Sequence, residues 1–204
     1  MKLPPEILTG TEVRLLLDAC SRRCPTGIRN RALIAVLYRT GLRISEALAL
    51  RRSDVDGDAG TVRVLHGKGD KARTVGLDPG GFGLLALWLV RRSRLYFHAN
   101  GHTPLFCTLK GGPINSSYIR RLLPRLAAQT GIAKRVHAHG FRHTHAAELA
   151  AENVPVNVIQ RQLGHSSLTT TSEYLNHVAP QDVISAMQGR VWHQLAGRDG
   201  KGSP

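Results

Sequence analysis

The chain has 204 residues, and its 28 Lys and Arg against 14 Asp and Glu leave a formal net charge of +14 with histidine neutral. A hydrophobic content of 42% is typical of a globular protein and excludes wholesale disorder. The longest apolar run, residues 84–90, is far shorter than the roughly 20 residues that a membrane-spanning helix needs. No charged stretch followed by an apolar one opens the chain, so we expect no secretory signal.

The charge points to a polyanionic partner, with nucleic acid the leading class and an anionic membrane surface the second. Residues 1–100 carry 17 basic and 9 acidic side chains and residues 101–204 carry 11 and 5, so both halves are basic. A solvated basic surface on an unrelated enzyme is the alternative interpretation. Three scattered cysteines are too few for a disulfide framework or a four-ligand zinc site, which favours a reducing cytoplasm.

Helical periodicity dominates the sequence in chain order. Thr9 followed by Glu12 resembles a capping box at the start of the first helix. The predicted helices cover residues 9–20, 28–39, 44–50, 79–95, 115–129, 140–152, 155–163, 169–175 and 180–195.

One hairpin interrupts the helices. Residues 61–65 alternate as a strand should, 67–70 form a turn, and 72–77 return as a second strand, after a turn-rich stretch at 54–60. The predicted fold class is therefore mainly α with a small antiparallel β-sheet. We expect one domain over residues 1–196 and a flexible C-terminal tail at 197–204.

Two short segments carry isolated candidate cations. In residues 40–46, Arg43 follows a glycine and opens a helix, and Glu46 lies one turn on, where it can hold the guanidinium in place. In residues 66–71, Lys68 lies between two glycines at the hairpin tip, where an ammonium group can bind a phosphate or donate a proton. Each segment also fits a simpler interpretation, a helix-start ion pair and a solvated lysine.

Residues 137–145 carry four histidines and an arginine near a helix start. If the helix begins near His139, then His139, Arg142, His143 and Ala146 share one face. Such a face at a positive helix N-terminus is an anion site with a titratable group inside it. A metal site and a purely structural histidine cluster are the alternatives, although no carboxylate has the spacing typical of zinc motifs.

Residues 163–174 place His165 after a glycine at a helix end and Tyr174 nine residues later. A tyrosine in this position also fits a packed aromatic at the rim of the core.

The four segments together, in the order Arg, Lys, His-x-x-Arg, His, Tyr, resemble the catalytic domain of the tyrosine recombinase (phage integrase) family from about residue 8 to residue 188. The resemblance implies the fold of the tyrosine recombinase catalytic domain. It also implies a site whose catalytic residues are Arg43, Lys68, His139, Arg142, His165 and Tyr174, with Glu46 and His143 supporting them.

The chemistry that the resemblance implies is strand exchange by transesterification without a cofactor or a metal. Tyr174 attacks a DNA phosphodiester, Arg43 and Arg142 stabilise the transition state, and a partner 5′-hydroxyl reverses the step on a new strand. Free tyrosine has a pKa of about 10, so attack near neutral pH needs a base, for which His139 is the candidate. Lys68 is the candidate acid for the leaving oxygen.

Double-stranded DNA is the expected partner, gripped by a basic face for which the candidates are Arg73, Arg120, Arg121 and Arg125. The amphipathic helix at 180–195 is expected to mediate self-association on DNA, with packing on its own core as the alternative. Only a few residues precede the first helix, whereas most members of the family carry an N-terminal DNA-binding domain there. We therefore expect a single-domain recombinase or an excised catalytic fragment.

Two other functions use the same residues or the same charge. A type IB topoisomerase relaxes supercoils with the same chemistry and needs no second DNA site. A catalytically silent DNA-binding regulator needs only the basic surface. Intact candidates at Tyr174, Arg43 and Arg142 favour an enzyme over the regulator.

Overall fold

A computed structural model describes residues 6–65, 72–95 and 102–164. Within these ranges the chain forms seven α-helices, one 3₁₀ turn at Arg52–Asp54 and three short strands. The helices are α1 Gly10–Asp18, α2 Pro25–Thr40, α3 Ile44–Ala49, α4 Pro79–Ser93, α5 Ser116–Thr130, α6 Ala138–Ala151 and α7 Val156–Leu163. The strands are β1 Val55–Asp56, β2 Thr61–Val64 and β3 Arg73–Gly76.

The predicted fold class, mainly α with a small antiparallel sheet, is confirmed. The strands pair antiparallel in the order β1-β2-β3. The stretch predicted as turn-rich, 54–60, also holds a strand that was not predicted, because Val55 and Asp56 pair with Val62 and Thr61 to form β1. Two residues carry too little alternation to signal a strand, and the neighbouring strand supplies the hydrogen bonds.

Helix boundaries follow local signals closely. Thr9 and Glu12 form the predicted capping box, each side chain accepting a hydrogen bond from the other residue's backbone N–H. Helix α6 begins at Ala138, two residues before its predicted start, because the His137 side chain accepts from the Gly140 N–H and caps the helix. The predicted helices at 169–175 and 180–195 and the tail at 197–204 lie outside the described residues.

Helix α2 runs through the centre of the hydrophobic core and packs closely along α4. Its apolar residues Leu33, Ile34, Val36 and Leu37 are all buried. A smaller cluster of Ala146, Ile159 and Leu163 joins α6 to α7 apart from that core. Among residues 6–65, 72–95 and 102–164, no helix is both long and apolar enough to span a bilayer.

Candidate active site

The site begins where α2 ends. Gly41 adopts a left-handed conformation with φ of 64°, which closes α2 and turns the chain toward α3. A side chain here would be strained by that φ, and its Cβ would lie 2.5 Å from Leu163 Cδ2 and 2.9 Å from His145 Cδ2. Glycine at this position therefore allows α6 and α7 to pack directly against the turn.

Arg43 is the N-terminal cap residue of α3 and is held by Glu46, one turn into the helix. The Arg43 backbone N–H donates to Glu46 Oε2 at 2.8 Å, and its Nη1 donates to Oε1 at 2.8 Å. The predicted contact between these residues is confirmed. The Arg43 side chain keeps 30% of its surface exposed, so its guanidinium is anchored at one edge and accessible at the rest.

Glu46 is also bound by a second arginine from the sheet. Arg73, the first residue of β3, donates from Nη1 to Glu46 Oε1 and from Nη2 to Oε2, both at 2.9 Å. Burial alone would raise the pKa of Glu46, but the hydrogen bonds from Arg73 and from the Arg43 backbone, together with the Arg73 charge, lower it to about 2. The carboxylate is therefore ionised throughout the physiological range.

Arg73 does not lie where the sequence suggested. It was expected on the basic face of the hairpin, but its side chain is only 13% exposed and points to the buried Glu46. Gly164, which ends α7 with φ of 67°, lies against it: a Cβ there would be 2.6 Å from Arg73 Nε. The alternation in 72–77 places a strand but gives no sign of a carboxylate 27 residues earlier in the chain.

Arg142 lies almost completely inside the protein, with 1% of its surface exposed. Its Nη1 donates to the Gly41 carbonyl oxygen and its Nη2 donates to the Leu163 carbonyl oxygen, both at 2.7 Å. Gly41 is the residue that follows α2 and Leu163 is the last residue of α7, and helix ends leave such acceptors unsatisfied. One guanidinium thereby joins three helices at a point two residues from Arg43.

His139 and His143 lie one turn apart on α6, with ring centroids 4.3 Å apart and the rings edge to face. His139 is accessible to solvent, but neighbouring atoms partly desolvate its ring and so lower its pKa, and the charges of Arg142, His137 and Arg43 lower it further. Burial, followed by the charges of His139, His137 and Arg142, lowers the pKa of His143 to about 4. Both rings are therefore neutral at pH 7, and His139 is exposed and able to accept a proton.

The predicted common face of α6 is present, since the helix contains all four residues, but burial changes along it. His139 is exposed, whereas Arg142 and Ala146 are buried. The reason is that α7 and the turn at Gly41 cover this side of α6 beyond its first turn. For the metal alternative, no group of three or more His, Cys, Asp or Glu side chains suited to a metal ion occurs in the described part of the chain.

Helix α7 is tied to the sheet by a residue that sequence reasoning missed. Gln162 accepts from the Gly76 N–H at 3.0 Å and donates to the Gly76 carbonyl oxygen at 2.9 Å, as a neighbouring strand would. Its Nε2 also lies 3.4 Å from the Thr40 carbonyl oxygen. No motif marks Gln162, because its role depends on which strand edge lies beside the helix.

Lys68, His165 and Tyr174 lie outside the described residues. The described chain stops at Gly164, the residue before His165, and it resumes at Ala72, four residues after Lys68.

Helix α5 presents a basic face to solvent. Arg120, Arg121 and Arg125 are all exposed, while Ile119 and Leu122 on the opposite side are buried. Their expected placement on one exposed face is confirmed. Arg120 Nη2 donates weakly to Ser116 Oγ at 3.4 Å.

Comparison with known proteins gives one consistent result. Residues 6–181 match the phage integrase family. The chain is 35% identical over 173 residues to "Tyrosine recombinase XerD" of Chlorobaculum tepidum, covering 83% of this chain and 57% of that protein. It is 36% identical over 177 residues to "Tyrosine recombinase XerC" of Bacillus licheniformis, covering 86% and 58%. The chain thus spans less than three fifths of these relatives.

Solved structures agree. The crystal structure of XerA recombinase superposes with a TM-score of 0.78 at 30% identity, covering 94% of this chain and 68% of that one. A post-cleavage complex of the XerH site-specific recombinase bound to a palindromic difH substrate gives a TM-score of 0.73 at 31% identity, covering 91% and 53%.

Proposed function

Because the chain belongs to the phage integrase family of tyrosine recombinases, we propose that it is the catalytic part of a site-specific DNA recombinase. It cuts and rejoins DNA strands through a covalent 3′-phosphotyrosine intermediate. Its substrate is double-stranded DNA, and it acts in the cytoplasm, where that DNA is found.

The observation that carries this proposal is the joining of Arg43, Arg142 and His139 around one turn of chain. Arg142 donates to the carbonyl of Gly41, two residues before Arg43. Partial desolvation lowers the pKa of His139, and the charges of Arg142 and Arg43 are among the causes that lower it further. Two fixed guanidinium groups beside a neutral imidazole suit a phosphodiester, whose transition state gathers charge on its non-bridging oxygens.

In the proposed first step, the Tyr174 hydroxyl oxygen attacks phosphorus and the bond from phosphorus to the 5′ oxygen breaks. The phenol proton passes to His139, and Lys68 gives a proton to the departing 5′ oxygen. The products are a 3′-phosphotyrosine and a free 5′-hydroxyl. A 5′-hydroxyl of a partner strand then attacks the phosphotyrosine, and the proton transfers run in reverse.

The remaining charges have supporting roles. Arg43 and Arg142 stabilise the non-bridging oxygens, and His165 donates a hydrogen bond to one of them. The cation pair supplies the charge that two metal ions supply in other phosphoryl-transfer enzymes. Strand cleavage is therefore expected to proceed unchanged in excess EDTA.

The lowered pKa of His139 fits its role as proton acceptor. Burial and the two arginines keep the ring neutral before substrate binds. A bound phosphodiester brings one negative charge into the same field and offsets part of that effect, so His139 becomes a better base once DNA is in place.

DNA grip is assigned to the basic face of α5, with Arg120, Arg121 and Arg125 contacting phosphates. Such contacts release counterions, and the affinity falls with salt concentration by a slope of about 0.9 for each phosphate neutralised.

Self-association on DNA is assigned to the segment at 180–195, which docks on a neighbouring protomer. A chain ending at Gln181 tests this assignment against packing in cis. The trans role predicts fewer protomers per DNA duplex in sedimentation or mass photometry. An unchanged stoichiometry would refute it.

The deciding experiment captures the covalent intermediate and identifies the target sequence at the same time. The protein is incubated with sheared duplex DNA from the organism that encodes it, denatured, and the DNA still attached is sequenced. Wild type is expected to yield adducts at one recurrent sequence and Tyr174→Phe to yield none. If wild type yields no adducts, the proposed strand-cleaving activity is rejected.

A second assay separates recombination from topoisomerase activity. A plasmid with two copies of the recovered sequence is expected to give Holliday junctions and recombinant products. Efficient relaxation of a supercoiled plasmid that lacks the sequence would instead identify a type IB topoisomerase.

A further inference from the structure

Arg73 joins three parts of the candidate site through one side chain. Both of its terminal nitrogens bind Glu46, the carboxylate that also holds Arg43. Arg73 is the first residue of β3 and follows Lys68 by five residues in the sequence. The backbone of Gly164, one residue before His165, lies against its guanidinium.

The charge balance at Glu46 explains why a second arginine is useful there. A lone Glu46 would anchor Arg43 but would also cancel its charge, which would weaken its hold on a phosphate. With Arg73 included, two guanidinium charges face one buried carboxylate, and one net positive charge remains. The anchor is kept and the site stays cationic.

The contact with Gly164 adds a geometric constraint. A Cβ at residue 164 would lie 2.6 Å from Arg73 Nε and 2.7 Å from its Cζ, so only glycine lets the end of α7 come this close. Gln162 binds α7 to Gly76 of the same strand, which is a second tie between α7 and β3. The end of α7, at Gly164, is therefore fixed against Arg73 and its strand.

We propose that Arg73 is a positioning residue for strand cleavage. It orients Arg43 through Glu46 and fixes the end of α7 at Gly164, the residue before His165 in the sequence, and it does not contact DNA phosphate. The proposal rests on the recombinase function above. The Arg73 side chain is mostly buried and makes two hydrogen bonds to Glu46, which distinguishes it from the exposed arginines of α5.

The kinetic test compares Arg73→Gln and Arg73→Lys with wild type. The substrate is a duplex of the sequence recovered by adduct capture, nicked beside the cleavage position so that the freed 5′ fragment is lost. At saturating protein, both variants are expected to form adduct at least about tenfold more slowly, with DNA affinity within twofold of wild type. Lysine fails because one ammonium cannot make the two parallel bonds.

Arg63→Gln is the matched control, because Arg63 lies on the adjacent strand β2 opposite Thr74 and is 58% exposed. It is expected to cleave at the wild-type rate. If thermal unfolding shows that Arg73→Gln does not fold, the rate of adduct formation is compared for Arg73→Lys and Gly164→Ala instead. Gly164→Ala pushes a methyl group against the guanidinium and is expected to slow cleavage in the same way.

A binding test separates positioning from phosphate contact and does not need activity. Affinity for a random 40-base-pair duplex is measured against salt concentration for wild type, Arg73→Gln and Arg121→Gln. Arg121→Gln is expected to lower the salt slope by about 1, and Arg73→Gln to leave it unchanged.

A fall of the slope by about 1 in Arg73→Gln would overturn the proposal, as would wild-type cleavage by both Arg73 variants. Failure of wild type to form any adduct would reject the recombinase function itself. The salt slope would then still decide whether Arg73 is a phosphate contact.

Discussion

The two arginines of the site are anchored in opposite ways. Arg142 is buried and donates to two backbone carbonyl oxygens, those of Gly41 and Leu163. Arg43 is partly exposed and is held by the carboxylate of Glu46, which it shares with Arg73. Carbonyl anchors leave the arginine charge in place, whereas a carboxylate anchor needs a second cation to do so.

The difference predicts different failures on the two sides. On α6, the buried Arg142 side chain both carries the charge and makes the hydrogen bonds that hold it in place, so a substitution of Arg142 removes both. At α3, Arg43 carries the charge, Glu46 holds it in place and Arg73 balances the carboxylate, so these functions can be changed one at a time. The following changes probe these two sides in order of expected effect.

Arg142→Ala is expected to have the largest effect. It removes a cation that the mechanism places on the transition state and leaves two buried carbonyls without this donor. We expect strand cleavage to fall by about 10³-fold or more, while affinity for DNA stays within a few fold because the α5 face is untouched. Adduct formation and gel-shift titration measure the two effects, and retained strand exchange would contradict the assigned role.

Glu46→Gln tests the carboxylate anchor. Breaking a buried ion pair from one side costs about 3–5 kcal/mol, so we expect a loss of that order in the free energy of unfolding at pH 7. The neutral amide also leaves Arg43 free to change position, and cleavage is expected to slow.

The pH dependence of stability gives an independent check on Glu46. Its folded pKa of about 2 lies below the ordinary value of 4.5, so its stabilisation is complete above pH 4.5 and is lost as pH falls toward 2. The shift corresponds to about 3 kcal/mol. Urea unfolding from pH 5 to pH 2 should show this loss in wild type and not in Glu46→Gln; equal slopes would contradict the shared anchor.

His145→Leu probes the α6 side at higher pH. His145 is 4% exposed, and neither ring nitrogen has a hydrogen-bond partner among the described residues. Burial, followed by the charge of Arg39, lowers its pKa from 6.5 to about 4.

The unfolded chain therefore takes up this proton first, and stability falls as pH drops from 6.5 to 4, by about 3 kcal/mol for one such group. His143 contributes in the same window. His145→Leu is expected to lose less stability than wild type between pH 7 and pH 4. A wild-type pH profile in this variant would show that His145 is not the buried neutral group.

Gly41→Ala and Gly131→Ala compare two helix ends with nearly the same backbone. Their φ angles are 64° and 72°, so both substitutions incur the left-handed penalty of about 1 kcal/mol. A Cβ at Gly131 meets nothing within 4 Å, whereas one at Gly41 meets Leu163 and His145.

Gly41→Ala should therefore be more destabilising than Gly131→Ala by about 1–3 kcal/mol. It should also slow cleavage, because the Gly41 carbonyl that anchors Arg142 moves. Thermal unfolding and adduct formation of the two variants check this. Equal effects of both substitutions would show that the turn at Gly41 is not closely packed against α6 and α7.

Local signals predicted most of the described fold. The capping box at Thr9 and Glu12, the glycine that ends α2 and the alternation in β2 each depend on neighbours within a few residues. The predicted pairing of Arg43 with Glu46 is also of this kind, since the two residues lie one helical turn apart. Two-residue β1 was missed because its signal comes from the strand that pairs with it.

Contacts between distant residues could not be read in the same way. Arg73 looked like one more surface cation, because nothing near it in the sequence signals that Glu46 lies beside it. Gln162 carried no signal at all, and the burial of Arg142 became visible only when three helices were placed together.

The order and types of the candidate site residues were determined by the sequence alone, because the proposed chemistry needs particular side chains at spacings that a linear pattern records. Tertiary structure decided which cations are anchored, by which acceptors, and how much charge remains at each. Those outcomes depend on the packing of α2, α3, α6, α7 and β3 around one turn, and the electrostatic energy of a group depends on the distances and burial that this packing sets.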